Sequence, residues 1–214
     1  MAFTSTLKKT ICTTVALIAW FAIVLQLYLS VNAYLAKGRT LGGALVEYFS
    51  FFTIQSNICV AIGLTAVALG GFNKGFFTRP GVLTAIAVYI SIVCLVYNLV
   101  LRGSWHPQVW DRLADELLHV GNPLLFLLIW VLYVPKQGIA PSAAFSWLWY
   151  PLGYLIYIMI RGALCGIYPY FFLNAITFGY PKVLMNIAVL MLVFLAFSML
   201  YVWIARLFAK RQSA

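Results

Sequence analysis

Apolar residues fall along the chain in six long blocks, at 11–35, 47–69, 82–101, 113–134, 143–164 and 183–208. A bilayer core about 30 Å thick takes about 20 apolar residues as a helix. Each block therefore predicts one crossing. The breaks between blocks carry turn chemistry: Lys37-Gly38-Arg39, Gly70-Gly71, Arg102-Gly103 through Pro107, Pro135-Lys136-Gln137-Gly138, and Tyr168-Pro169 to Pro181. Glycine and proline punctuate helices in this way. The fourth block is the most polar, because Asp111, Arg112, Asp115 and Glu116 crowd its start. The pattern predicts one domain over 1–214, an all-α polytopic membrane bundle of six transmembrane helices.

Composition leaves little alternative to lipid as the solvent. Hydrophobic residues make up 64% of the chain, charged residues 8%, and the mean hydropathy is +1.00. A soluble domain carries about 25% charged residues. The net charge of +10 does not point to nucleic acid, because Lys and Arg sit singly or in pairs at the ends of apolar runs. That placement serves orientation and headgroup anchoring. The run at 11–35 exceeds the about 7–15 residues of a signal-peptide core. It is read as the first span, although Ala33 and Ala36 near its end resemble a cleavage site. Cys12, Cys59, Cys94 and Cys165 lie in or beside apolar runs without a CxxC pair, so neither metal nor disulfide framework is expected. No cofactor is called for.

Six crossings put both termini on one side. Counting basic residues gives eight on the side of the termini (Lys8, Lys9, Lys74, Arg79, Lys136, Arg206, Lys210, Arg211) and six on the other. The positive-inside rule then makes the termini cytoplasmic, in a cell membrane of plasma or inner type. Trp105, Trp110, Trp147 and Trp149 fall near predicted helix ends, as an interfacial belt requires.

Polar residues inside spans are costly and mark candidate sites. Entering from outside at Glu47, Thr53 lies about 9 Å down at 1.5 Å per residue, and from Leu113 so does His119. Ser56 and Asn57 share the face of Thr53. Asn122 follows His119 on its face, Asn98 and Arg102 end the third block, and Arg161 nears the end of the fifth. Thr65, Thr84, Ser91 and Ser198 are the main polar groups of the inner half and are expected to bond back to their own helices. The asymmetry predicts a polar cavity on the outer side.

A threonine hydroxyl attacks only when a base takes its proton, and histidine is the side chain suited to that near neutral pH. Of two histidines, His106 reads as an exposed loop residue and His119 as intramembrane. An oxyanion needs donors, for which Asn57 is a candidate. Asp115, one turn before His119, is placed to orient the ring. Arg102 or Arg161 suits a substrate carboxylate. The purely structural reading, in which Ser, Thr, Gln and Asn hydrogen-bond between helices, applies to each residue singly.

Phe51-Phe52-Thr53-Ile54-Gln55-Ser56-Asn57, with Leu118-His119-Val120-Gly121-Asn122-Pro123-Leu124-Leu125-Phe126 later in the chain, resembles the family of the androgen-induced protein and the androgen-dependent TFPI-regulating protein. The stretches Tyr150-Pro151-Leu152-Gly153-Tyr154, Arg161-Gly162 and Gly166 to Leu173 are similar to its prokaryotic branch. The likeness runs from about Ile11 to Arg206, and it rests on the order and placement of short motifs. It implies a six-span threonine hydrolase cleaving fatty acid esters of hydroxy fatty acids, with Thr53 as nucleophile and His119 as base. In animal members the His-to-Pro spacing is one residue longer and the residues after the threonine differ, which bears on the substrate.

The expected partners are thus a lipid or fatty-acyl ester and the membrane lipids. A transporter or solute- or lipid-binding protein without catalysis is the alternative; it calls for polar residues through the inner half or matched broken helices, and neither pattern stands out. A haem site needs axial ligands facing across helices, which His106 outside the spans does not offer. A structural membrane partner remains a further alternative.

Overall fold

The computed structural model describes residues 2–104 and 107–213. Trp105 and His106 lie outside the described residues. The chain is all-helical, 85% helix, without strands among the described residues. Among the described residues, six helical stretches are long and apolar enough to cross a membrane: Thr6–Ala36, Phe52–Gly70, Pro80–Leu101, Val109–Tyr133, Ala143–Cys165 and Ala175–Ala209. Two compact units divide the chain, Met1–Pro135 and Lys136–Ala214.

In the first unit, α1 (Ala2–Ala36) packs along α3 (Phe52–Gly70), α3 against α4 (Pro80–Val96), and α4 against α6 (Asn122–Tyr133). The faces that meet are built from small residues. On α1, Cys12, Val15, Ala16, Ala19, Ala22 and Ile23 are buried, while Leu17, Phe21, Val24 and Tyr28 form an exposed stripe opposite. This is the distribution a lipid solvent favours: bulky apolar groups gain nothing by turning inward, and small residues let backbones approach. Gly63 of α3 shows the effect, since a Cβ there would meet Leu83 Cδ2 at 3.3 Å and Ile86 Cδ1 at 3.5 Å.

Several polar groups of these spans bond back to their own helix, and two also bond across helices. Thr65 donates to Ala61 O at 2.7 Å and accepts from the Trp20 indole at 3.2 Å. Thr84 donates to Pro80 O at 2.7 Å and accepts from Trp130 at 3.0 Å. Ser91 donates to Ala87 O. These bonds back to the helix agree with expectation, and the two threonines add an indole. Ser198 departs from it: its buried hydroxyl has no hydrogen-bond partner.

The second apolar block is not one helix. α2 (Leu41–Phe49) ends where the Ser50 hydroxyl competes with the backbone for Val46 O at 2.6 Å. Phe51 is extended (φ −80, ψ 127) and starts α3. Gln55 Nε2 covers the Phe49 carbonyl at 2.9 Å, closing the break. The fourth span begins earlier than its apolar run, with α5 (Val109–Glu116) carrying the acidic residues.

The second unit contains a short α7 (Ala143–Ser146), α8 (Trp149–Cys165) and α9 (Ala175–Ser213). Gly166, at φ 70, ends α8 in the left-handed conformation and donates to Gly162 O at 2.9 Å. Asn174 Oδ1 accepts from Ile176 N at 3.0 Å and Thr177 N at 3.2 Å, starting α9 before the long apolar run. Gly179 (φ 74) and Pro181 then kink that helix.

Candidate active site

Two π turns shape the candidate site in the first unit. α4 passes into a π turn at Tyr97–Leu101, closed by Arg102 N–H on Tyr97 O. α5 passes into one at Leu117–Gly121, closed by Asn122 N–H on Leu117 O. Single-turn π segments recur at functional sites because the wider turn re-aims side chains. His119 is the middle residue of the second turn, and Tyr97 is the first residue of the other.

The Thr53 hydroxyl lies 3.4 Å from His119 Nε2. The other ring nitrogen, Nδ1, is 2.9 Å from the Asp115 carbonyl oxygen and 3.1 Å from Asp115 Oδ1. Both are acceptors, so in the neutral ring Nδ1 carries the proton and Nε2 presents its lone pair to Thr53. The Tyr97 hydroxyl donates to Asp115 Oδ2, and the Tyr97 ring stacks on the imidazole at 4.1 Å and 13°. The Arg102 guanidinium also lies by Tyr97, 5.3 Å from its ring centroid, and pairs with Glu116. Thr53 is 7% exposed, and the His119 and Asp115 side chains 15% and 9%.

The depth count from Glu47 is corrected by the break at Ser50-Phe51. Thr53 stands in the first turn of its span, whereas His119 is well inside its own, which begins at Val109. They meet because the span of His119 carries a polar amphipathic entry that the apolar count left out.

Asn57 holds the two helices together. Its Nδ2 donates to Thr53 O at 2.9 Å and to Leu118 O at 3.0 Å, and its Oδ1 accepts from Asn122 Nδ2 at 2.9 Å. Both amide hydrogens are committed, so Asn57 is a clamp and not a ready oxyanion donor. The carbonyl it meets has a reason to need it. Continuing the pattern of Asn122 on Leu117, the next amide would reach Leu118 O, but residue 123 is proline and has no N–H.

Other expected residues fall differently. Asn98 is exposed and donates to Cys94 O at 2.8 Å, so it serves its own helix. The Ser56 hydroxyl and Asn122 Oδ1 are buried without hydrogen-bond partners. Arg161 belongs to the second unit, where Nη1 donates to Ile167 O at 3.1 Å across the end of α8. Arg102 reaches the back of the array through Tyr97, not Thr53 itself. A cavity of about 440 Å³ opens there, lined by Tyr97, Arg102, Pro107, Gln108, Arg112, Asp115 and Glu116. Sequence reasoning missed Tyr97. In a chain with 13 tyrosines, one at a span end reads as an interfacial anchor, and its contacts with Asp115 and His119 are what distinguish it.

The chain matches no protein-family model, no curated protein and no solved structure.

Proposed function

We propose that this membrane protein hydrolyses lipid esters, with Thr53 as nucleophile and His119 as general base. The observation that carries this is the relay from the Thr53 hydroxyl to His119 Nε2 at 3.4 Å, with Nδ1 tied to Asp115. A nucleophile, a base and a group orienting the base form the minimal set for acyl transfer. The hydroxyl-to-imidazole distance exceeds the about 2.9 Å of a tight hydrogen bond, and such bonds commonly tighten once substrate is bound.

In the proposed reaction, Thr53 Oγ1 attacks the ester carbonyl as its proton passes to His119 Nε2. The tetrahedral intermediate collapses, the C–O bond to the alcohol breaks, and His119 returns the proton to the leaving alkoxide. Water, deprotonated by the same nitrogen, then attacks the acyl-threonine; the bond to Thr53 Oγ1 breaks, His119 returns the proton to that oxygen, and the fatty acid leaves. Thr53 stands in the first turn of α3, where the positive end of the helix dipole favours the developing oxyanion. Asp115 balances the imidazolium formed in each step.

The motif resemblance around Thr53 and His119 points to fatty acid esters of hydroxy fatty acids as the substrate class. The bias in basic residues favours cytoplasmic termini in a plasma or inner membrane, which turns the site toward the outer leaflet. The test uses a fluorophosphonate probe on purified protein. Wild type is expected to label and to turn over a lipid ester, and Thr53→Val and His119→Ala to do neither while remaining folded. Undiminished turnover in both variants would refute the assignment.

A further inference from the structure

We propose that Tyr97 is a positioning residue of this site, holding Asp115 and the His119 ring from the neighbouring span so that the neutral ring keeps its proton on Nδ1 and its Nε2 aimed at Thr53. The proposal rests on the hydrolase reading for its effect on turnover, but not for its effect on the imidazole.

Tyr97 does two separable things. Its hydroxyl donates to Asp115 Oδ2, leaving Oδ1 for His119 Nδ1 at 3.1 Å. The carboxylate is thereby fixed at both oxygens and cannot rotate away from the ring. Its own ring covers one imidazole face at 4.1 Å and an interplanar angle of 13°, which blocks rotation of His119 about its ring bond. Tyr97 is 4% exposed, so neither contact is readily replaced by solvent. It comes from a different span than His119, so the base is held from outside its own helix. The Arg102 guanidinium, paired with Glu116, adds a contact 5.3 Å from the Tyr97 ring centroid. Tyr97 keeps the register of α4, its N–H reaching Val93 O, and the π turn shifts only the residues that follow it.

The experiment uses full-length protein in lipid nanodiscs, with ¹⁵N-histidine and a His106→Gln background so that only His119 reports. In the parent, the spectrum is expected to show one tautomer, with the proton on Nδ1. Tyr97→Phe keeps the stack and removes the hydroxyl; it should admit the Nε2–H tautomer and lower kcat about 10-fold with KM nearly unchanged, within the about 10²–10⁴-fold that a general base supplies. Tyr97→Leu removes both contacts and should lose more of kcat. A His119 spectrum unchanged in both variants overturns the proposal, whatever the activity. Absence of turnover in wild type, with the tautomer shift present, overturns the hydrolase reading and leaves the positioning role standing.

Discussion

Replacing Asn57 by alanine tests whether the clamp between α3 and the fourth span exists because of Pro123. The side chain is fully buried, at 0% exposure. The substitution removes its bonds to Leu118 O and from Asn122 Nδ2, both of which cross between helices. Each orphaned buried group costs about 1–3 kcal/mol. Interhelical hydrogen bonds in membranes average about 0.6 kcal/mol and reach about 1.7, which pulls the sum toward about 2 kcal/mol. The Thr53 carbonyl adds little, because its helix already offers it a donor. The informative arm is Pro123→Ala, which restores an N–H where the π turn would direct it to Leu118 O. In that background Asn57→Ala should cost about 1 kcal/mol less than in wild type, since one of the two orphans is met. The assay is reversible unfolding in mixed micelles of the four proteins of the cycle. Additivity to within the about 0.3–0.5 kcal/mol typical of independent sites refutes the reasoning, because the carbonyl would then need neither donor.

Asp115→Asn should lower kcat by about 10²–10⁴-fold with KM little changed, as expected when the group that fixes a histidine tautomer is neutralised; steady-state kinetics on a lipid ester checks it. Gly162→Ala would place a Cβ 2.0 Å from the Tyr168 ring, so thermal unfolding should show about 1–3 kcal/mol of destabilisation, largely absent when Tyr168 is also alanine. Lys136 lies outside the spans at 4% exposure, its Nζ 5.7 Å from the Phe208 ring centroid, and burial pulls its pKa from 10.5 down to about 8. Below about pH 8 the folded form holds a buried cation and the penalty is complete; between there and 10.5 only the unfolded chain takes up the proton, so stability rises with pH. Lys136→Met should therefore melt higher than wild type at pH 7, with the gap closing as pH rises toward 10.5.

The polar residues of the spans show where reading from sequence stops. Thr65 and Thr84 bond their own helices as short-range logic requires, and local chain geometry was enough to say so. The indoles of Trp20 and Trp130 that share their hydroxyls come from other helices, and nothing local announces them. Depth along a span brought Thr53 and His119 into consideration together, yet the count began at Glu47, before a helix break. Asn57 was legible as a polar residue in the right place but not in its role, because an amide's role depends on which carbonyls lack donors.

Apolar run length by itself determined the six crossings and the all-helical class, since in lipid each backbone polar group must be paired within its own segment. Residue type singled out Thr53, His119 and Asp115, because few side chains can act as nucleophile, base and orienting acid. The tertiary structure decided the rest. Bonding registers near Ser50, Tyr97 and Leu117 leave the regular α pattern, and each irregularity rotates or shifts the helical segment beyond it. The 3.4 Å approach of Thr53 to His119 and the Tyr97 contact behind it arise from three spans meeting, and the spacing within any one of them does not contain that information.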